Sequence, residues 1–147
     1  MTRTAAGPPR EEEGDAVAQS LPAAAKRWLD GREFVTLGTI EPDGQPQLSV
    51  VWAARDGDEL LFSTVRGRRK QRNLERDPRA SALVFPRDDP YSYLEVRGTV
   101  TLTTDGGREL IDALSEKYEG VRPYTGDGPD AVRLVVRLTP QHVVFRG

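Results

Sequence analysis

Apolar residues along this chain recur mostly at every second position, in short runs punctuated by Gly, Pro, Asn and Asp, and that alternation predicts strands. Phe34-Val-Thr-Leu-Gly-Thr-Ile40 is apolar and β-branched, Glu41-Pro-Asp-Gly44 is a turn, and Pro46 to Ala54 alternates, so the two segments predict a hairpin. A second turn, Arg55-Asp-Gly-Asp58, leads into Glu59 to Val65, and three antiparallel strands in succession form a meander. Ala80 to Phe85 predicts a short buried strand. Tyr91 to Thr103 alternates over a longer span, with a bend expected at Gly98. Val132 to Leu138 and His142 to Phe145 close the chain, for six or seven strands.

Three stretches depart from that period. Leu21 to Leu29 is made of helix formers, with Pro22 near the start and Gly31 at the stop, and predicts a short helix facing the core through Leu21, Ala25, Trp28 and Leu29. Thr104 to Tyr118 carries Leu110, Ile111, Leu114 and Tyr118 at spacings of three and four, an amphipathic helix packed on the sheet. Between them a basic segment follows Val65 and ends as a helix near Asp77-Pro78, because proline cannot continue it. A Gly/Pro-rich loop covers Glu119 to Asp130. Short strands joined mostly by tight turns, with few inserted helices, predict a mainly β (α+β) antiparallel barrel rather than a βαβ-wound sheet.

Composition narrows the chemistry. At 147 residues the chain fits one domain, 21–147, after a tail over 1–20 that mixes Gly, Pro and Glu11-Glu12-Glu13 with almost no large apolar groups and is expected to be disordered. That tail lacks the apolar run of a signal peptide, and no stretch approaches the roughly 20 apolar residues of a membrane span, so a soluble, cytoplasmic protein is expected. Zero cysteines exclude disulfides and thiolate nucleophiles, and the single histidine, His142, excludes a His-cluster metal site. His142 sits in a terminal strand with no evident triad partners and reads as a structural residue.

Charge is the exception to blandness. Residues 66 to 72 carry five Lys or Arg in a chain of net charge -2, immediately where a strand gives way to a helix. Free backbone N–H groups and the positive end of the helix dipole meet there, which makes an anion site. Ser63 and Thr64 at the strand end add hydroxyl donors. Arg68 and Arg72 share one helix face, Lys70 and Asn73 an adjacent one, and Leu74 anchors the segment. On charge alone a solvated cationic face balanced by Glu75, Asp77 and the acidic tail is an equal reading. Nucleic-acid binding ranks last, against an acidic sequence pI of 5.5 and no recognisable motif. In the second strand, Gln47, Ser49 and Val51 form one face and Leu48, Val50 and Trp52 the other; the first lines a site or is an ordinary solvated face.

The order of Phe34 to Trp52, Leu60 to Thr64, Arg68-Arg-Lys-Gln-Arg-Asn-Leu-Glu-Arg-Asp-Pro-Arg79 and Tyr93-Leu-Glu-Val-Arg-Gly-Thr99 resembles the pyridoxamine phosphate oxidase-like split-barrel flavoproteins, and within them the deazaflavin (coenzyme F-420) branch. The resemblance spans Leu21 to Phe145. It implies a six-stranded antiparallel split barrel with peripheral helices that forms a homodimer, with two cofactor sites at the subunit interface. It implies that Arg68 and Lys70 hold the cofactor phosphate or acidic tail, with Ser63 and Thr64 helping. Gln47, Ser49 and Val51 would run beside the ring, with Asn73 a lesser helper and Tyr91 reaching the cofactor from the other subunit. The implied activity is hydride transfer from reduced F-420 to a small electrophilic or conjugated organic molecule. FMN is the alternative cofactor, and a non-catalytic deazaflavin carrier the alternative role. The substrate-binding C-terminal segment of pyridoxamine phosphate oxidase itself has no counterpart after Phe145.

Overall fold

A computed structural model describes residues 17–147; the expected disordered tail falls largely outside them, and Val17 to Ser20 are exposed and without regular structure. The elements are α1 (Ala23–Asp30), β1 (Val35–Ile40), β2 (Pro46–Val51), β3 (Ala54–Asp56), β4 (Glu59–Val65), α2 (Arg69–Arg76), β5 (Arg79–Val84), β6 (Tyr93–Thr103), α3 (Gly107–Glu119) and β7 (Arg133–Arg146). All strands join one antiparallel sheet in the order β2-β1-β5-β6-β7-β4-β3.

Seven strands form, within the six or seven that alternation predicts, but two boundaries differ from the expected ones. The predicted second strand breaks after Val51, because the backbone of Ala53 is taken out of the ladder. Its N–H donates to the Tyr118 hydroxyl at 3.1 Å, and its carbonyl accepts from the Lys117 ammonium at 2.5 Å. The same ammonium donates to the Leu29 carbonyl at 2.7 Å, in the last turn of α1. The two predicted C-terminal strands merge into one of 14 residues, since the sheet absorbs Pro140 in a bulge. There Arg97 pairs with His142 and Gly98 with Pro140, leaving Gln141 extra. Gly98 is required at this crossing, because a Cβ would meet the Thr139 carbonyl oxygen at 1.9 Å.

The core lies inside the curled sheet, where alternate residues point inward: Val35 and Leu37 of β1, Leu60 and Phe62 of β4, Val96 of β6 and Val136 and Leu138 of β7. Leu21, Ala25 and Leu29 of α1 close one end as their spacing predicts, with Trp28 half-buried against Phe145. Ile111 and Leu114 of α3 are buried on the other side of β4 and β7.

The barrel is not closed. β2 and β3 stand at opposite ends of the sheet order yet are linked only by Trp52 and Ala53. Three peptide steps reach at most about 11 Å, so the two free edges come together at this corner, which marks the seam. α2 lies near this seam, held by Leu74, which is 2% exposed, and by Asn73. Truncating such a leucine to alanine typically costs about 2–5 kcal/mol.

Candidate functional site

A pocket of about 220 Å³ opens between the end of β2, the outer face of β4 and the start of α2. Its polar end is built by Ser63, Arg68, Lys70 and Arg133, and its apolar walls by Val50, Val51 and Trp52 on one side and Ile111, Leu114 and Tyr124 on the other. Strand alternation explains the first of these. Leu60, Phe62 and Thr64 of β4 face the core, so Ser63 faces the pocket.

The turn into α2 needs Gly67, whose φ is +95°, a conformation costly for any residue with a Cβ. Its N–H is taken by the buried Gln71 side chain, whose Oε1 accepts at 2.8 Å and so fixes the helix start from within. Arg68 stands at the N-cap and Lys70 is the second helical residue, beside the free N–H groups of the first turn. Burial lowers the pKa of the Lys70 ammonium from its ordinary value, and the Arg68 and Arg133 charges lower it further. Among the described residues no carboxylate pairs with Arg68 or Lys70; Glu41 is taken by Arg69, at 2.8 Å on the outer side of the helix.

Of the residues singled out from sequence, Val51, Ser63, Arg68 and Lys70 come together in this pocket. Gln47 and Ser49 follow Val51 along the half-buried face of β2. The Ser49 hydroxyl is buried with no hydrogen-bond partner, which fits a site lined for a polar guest. Gln47 accepts from the Thr39 hydroxyl at 2.5 Å. The polar face of β2 is therefore turned in, and the apolar one is turned out, with Leu48 67% and Val50 68% exposed.

Three residues stand elsewhere in the protomer. Thr64 points into the core, away from Ser63, because neighbours on a strand face opposite sides. Asn73 is spent on structure: its amide donates to Thr39 at 3.0 Å and to Glu41 at 3.3 Å, and its carbonyl accepts from Arg76. Tyr91 is 81% exposed on the turn before β6 and does not line the pocket.

Arg133 was legible in the sequence only as an alternating strand residue. Its side chain is 5% exposed, bound to Asp127 through Nε at 2.9 Å and Nη2 at 2.8 Å, and to Ser63 through Nη1 at 3.3 Å. It also stacks over the Tyr124 ring, 5.1 Å from the centroid. Arg133, followed by Arg108, holds the Asp127 carboxyl below the usual carboxylate range. Trp52 is fixed against the Tyr118 ring, stacked at 5.4 Å, and meets Tyr124 edge-on at 6.3 Å.

A larger groove of about 660 Å³ lies on the outer sheet face, where Leu48, Gly38, Ser81, Arg97 and His142 form one row across the strands. Its two arginines already have partners, Arg79 on Asp77 and Arg97 on Glu95. The next row runs Val50, Thr36, Leu83, Glu95 and Val144, so three exposed apolar side chains alternate with Thr36 and Glu95 across the sheet.

Fold and pocket together define a split-barrel protein with a cationic pocket beside its seam. The chain belongs to the pyridoxamine 5'-phosphate oxidase family, whose sequence profile matches residues 21–147. Among solved structures it is similar to an F-420 reductase, at 32% identity and a TM-score of 0.74 over 84% of this chain and 98% of that one. A conserved hypothetical protein of Mycobacterium tuberculosis is similar at 26% identity and a TM-score of 0.69, covering 91% of this chain and 88% of that one. The heme storage protein HutZ of Vibrio cholerae shares the fold at 16% identity and a TM-score of 0.62, covering 88% and 96%. The fold is thus that of flavin-associated oxidoreductases and also serves a heme protein. Among the described residues no helix is long and apolar enough to cross a membrane, and no cluster of acidic, His or Cys side chains could hold a metal ion.

Proposed function

We propose that the protein is an F-420-dependent oxidoreductase that reduces a small electrophilic or conjugated organic molecule. The observation that carries this reading is the pair Arg68 and Lys70, unneutralised by any described carboxylate at a helix start, in a chain 32% identical to an F-420 reductase. In this reading Arg68, Lys70 and Ser63 hold the cofactor phosphate, charge-assisted bonds being roughly twice as strong as neutral ones. Gln47, Ser49 and Val51 run beside the ring, and the Ser49 hydroxyl finds there the partner it lacks. Thr64 and Asn73 support from behind, one inside the barrel and one tying α2 to β1.

When bound, F-420 supplies the hydride chemistry; the chain's residues bind it, orient it and exclude water. That division of labour suits a site with no Cys, no His and no metal-ligating cluster. The exposed Leu48, Val50, Leu83 and Val144 support a homodimer in which the partner covers the outer sheet face and brings its Tyr91 toward the cofactor.

Fluorescence titration with F-420 and with FMN tests the cofactor. A dissociation constant far weaker for F-420 than for FMN overturns the choice in favour of a phosphomonoester flavin. Following the absorbance of reduced F-420 with a panel of quinones and enones tests turnover, and tight binding with no oxidation across the panel would point to a carrier.

A further inference from the structure

The polar end of the pocket contains a cation that neither the helix nor the resemblance accounts for. Arg133 comes from β7, its guanidinium is buried, and it lines the same pocket as Arg68, Lys70 and Ser63. Three of its five N–H groups are engaged: Nε and one on Nη2 by Asp127, and one on Nη1 by Ser63. The bidentate carboxylate fixes one edge of the planar fork and aims the Nη1 edge at Ser63. Because the Ser63 oxygen accepts from Arg133, its own O–H proton remains to be donated. Arg133 is also close enough to Lys70 to disfavour the ammonium charge there.

We propose that Arg133 is a third ligand-binding cation of this site, contacting the anion through Nη1, and that Asp127 is a positioning residue that fixes the fork and sets the charge of the pocket. Arg108 also donates to Asp127 at 2.9 Å and stands 3.6 Å from Asp112, so Arg68, Lys70, Arg133 and Arg108 against Asp127 and Asp112 leave a local charge of +2. The site is thereby matched to a guest presenting two negative charges, either a phosphate monoester or a phosphodiester with one neighbouring carboxylate. Asp127 and Tyr124 lie on the loop between α3 and β7, so the same pair ties that loop to the anion site. This rests on the reading that the pocket receives an anionic cofactor, and it extends that reading to a residue of β7 and a residue of the loop.

The test is calorimetric or fluorescence titration of the full chain with FMN, F-420 and inorganic pyrophosphate, using Asp127→Asn and the double variant Arg133→Met with Asp127→Asn. Asp127→Asn raises the local charge to +3 and leaves the ligand as the counter-ion of Arg133, so anion affinity should rise several-fold. The double variant removes both buried charges together, which spares the fold an unpaired ion, and should bind each anion about tenfold more weakly than the parent. Circular dichroism melts identify any variant that has lost its structure. If Asp127→Asn binds no more tightly and the folded double variant binds as the parent does, Arg133 is only a strut for the loop and the proposal fails. Lys70→Ala separates the two readings. Loss of flavin binding in Lys70→Ala with none in the Arg133 variant overturns this inference alone. Pyrophosphate affinity that responds to Asp127→Asn in a parent protein that binds neither flavin overturns the proposed function alone.

Discussion

Replacing Lys70 with alanine should weaken binding of the phosphorylated cofactor by about 10- to 150-fold. Lys70 is half-buried at the start of α2, and its ammonium is disfavoured by burial and by two guanidiniums on the same pocket. An anion seated among them relieves that repulsion and accepts a charge-assisted hydrogen bond, worth about 1.5–3 kcal/mol; at 1.4 kcal/mol per tenfold this gives the range stated. Arg69→Ala is the matched control. It removes an equal charge from the next residue, but that side chain is 59% exposed and paired with Glu41 outside the pocket, so a change within about threefold is expected. The same geometry fixes a pH dependence. Lys70 has a lowered pKa in the free protein, and a bound anion raises it, so binding takes up protons in the lysine range and affinity falls as pH rises through it. Titration by fluorescence at several pH values reads both quantities. Equal losses for Lys70→Ala and Arg69→Ala would refute the pocket geometry and return the segment to a solvated cationic face.

Other outcomes follow from the packing. Asp127→Ala leaves the buried Arg133 without its bidentate partner and should destabilise the fold by about 3 kcal/mol in a urea titration. Because the Asp127 carboxyl is held below its ordinary range, its contribution is present above the usual carboxylate pKa and is lost as pH falls, so the gap between parent and variant should shrink on acidification. Burial pushes the Lys117 ammonium down to about 8, so the native state holds its proton less tightly than the unfolded chain. Stability should therefore rise from about pH 8 toward the unfolded lysine value, and urea midpoints of Lys117→Met should lack that rise. Gly98→Ala should cost about 1–3 kcal/mol in thermal melts, since the new methyl meets the Thr139 carbonyl. Leu83→Asp with Val144→Asp should convert the proposed dimer to a monomer by light scattering without lowering helix or sheet content.

Much of the barrel could be read from alternation. Glu59 to Val65 lies where its pattern puts it, and Leu21, Ala25, Ile111 and Leu114 are buried as their spacings require. The break at Trp52-Ala53 was not legible, because its cause is two side chains of α3, sixty-odd residues away, one accepting from the Ala53 N–H and one donating to its carbonyl. The joining of Val132 to Leu138 and His142 to Phe145 into one strand was not legible, because only the bulge opposite Gly98 makes room for Pro140. Within the site, Ser63, Arg68 and Lys70 are neighbours along the chain and could be grouped by eye, whereas Arg133 arrives from a distant strand. One signal was available for it: a charged residue at the start of a strand buried on both faces, with a carboxylate six positions earlier. Trp52 and Tyr124 gave no such signal, because an aromatic in a strand or a loop reads the same whether it packs or lines a pocket.

The two-residue link at Trp52-Ala53 has a further consequence. Since it joins strands at opposite ends of the sheet order, the outer edge of β2 keeps main-chain donors and acceptors that no strand among the described residues satisfies. In the proposed function, a planar guest lying in the seam would be gripped by these peptide groups, which every residue carries. Under that function, recognition through the edge depends on the course of β2, and the Ser49 hydroxyl adds a side-chain contact that edge peptides cannot supply.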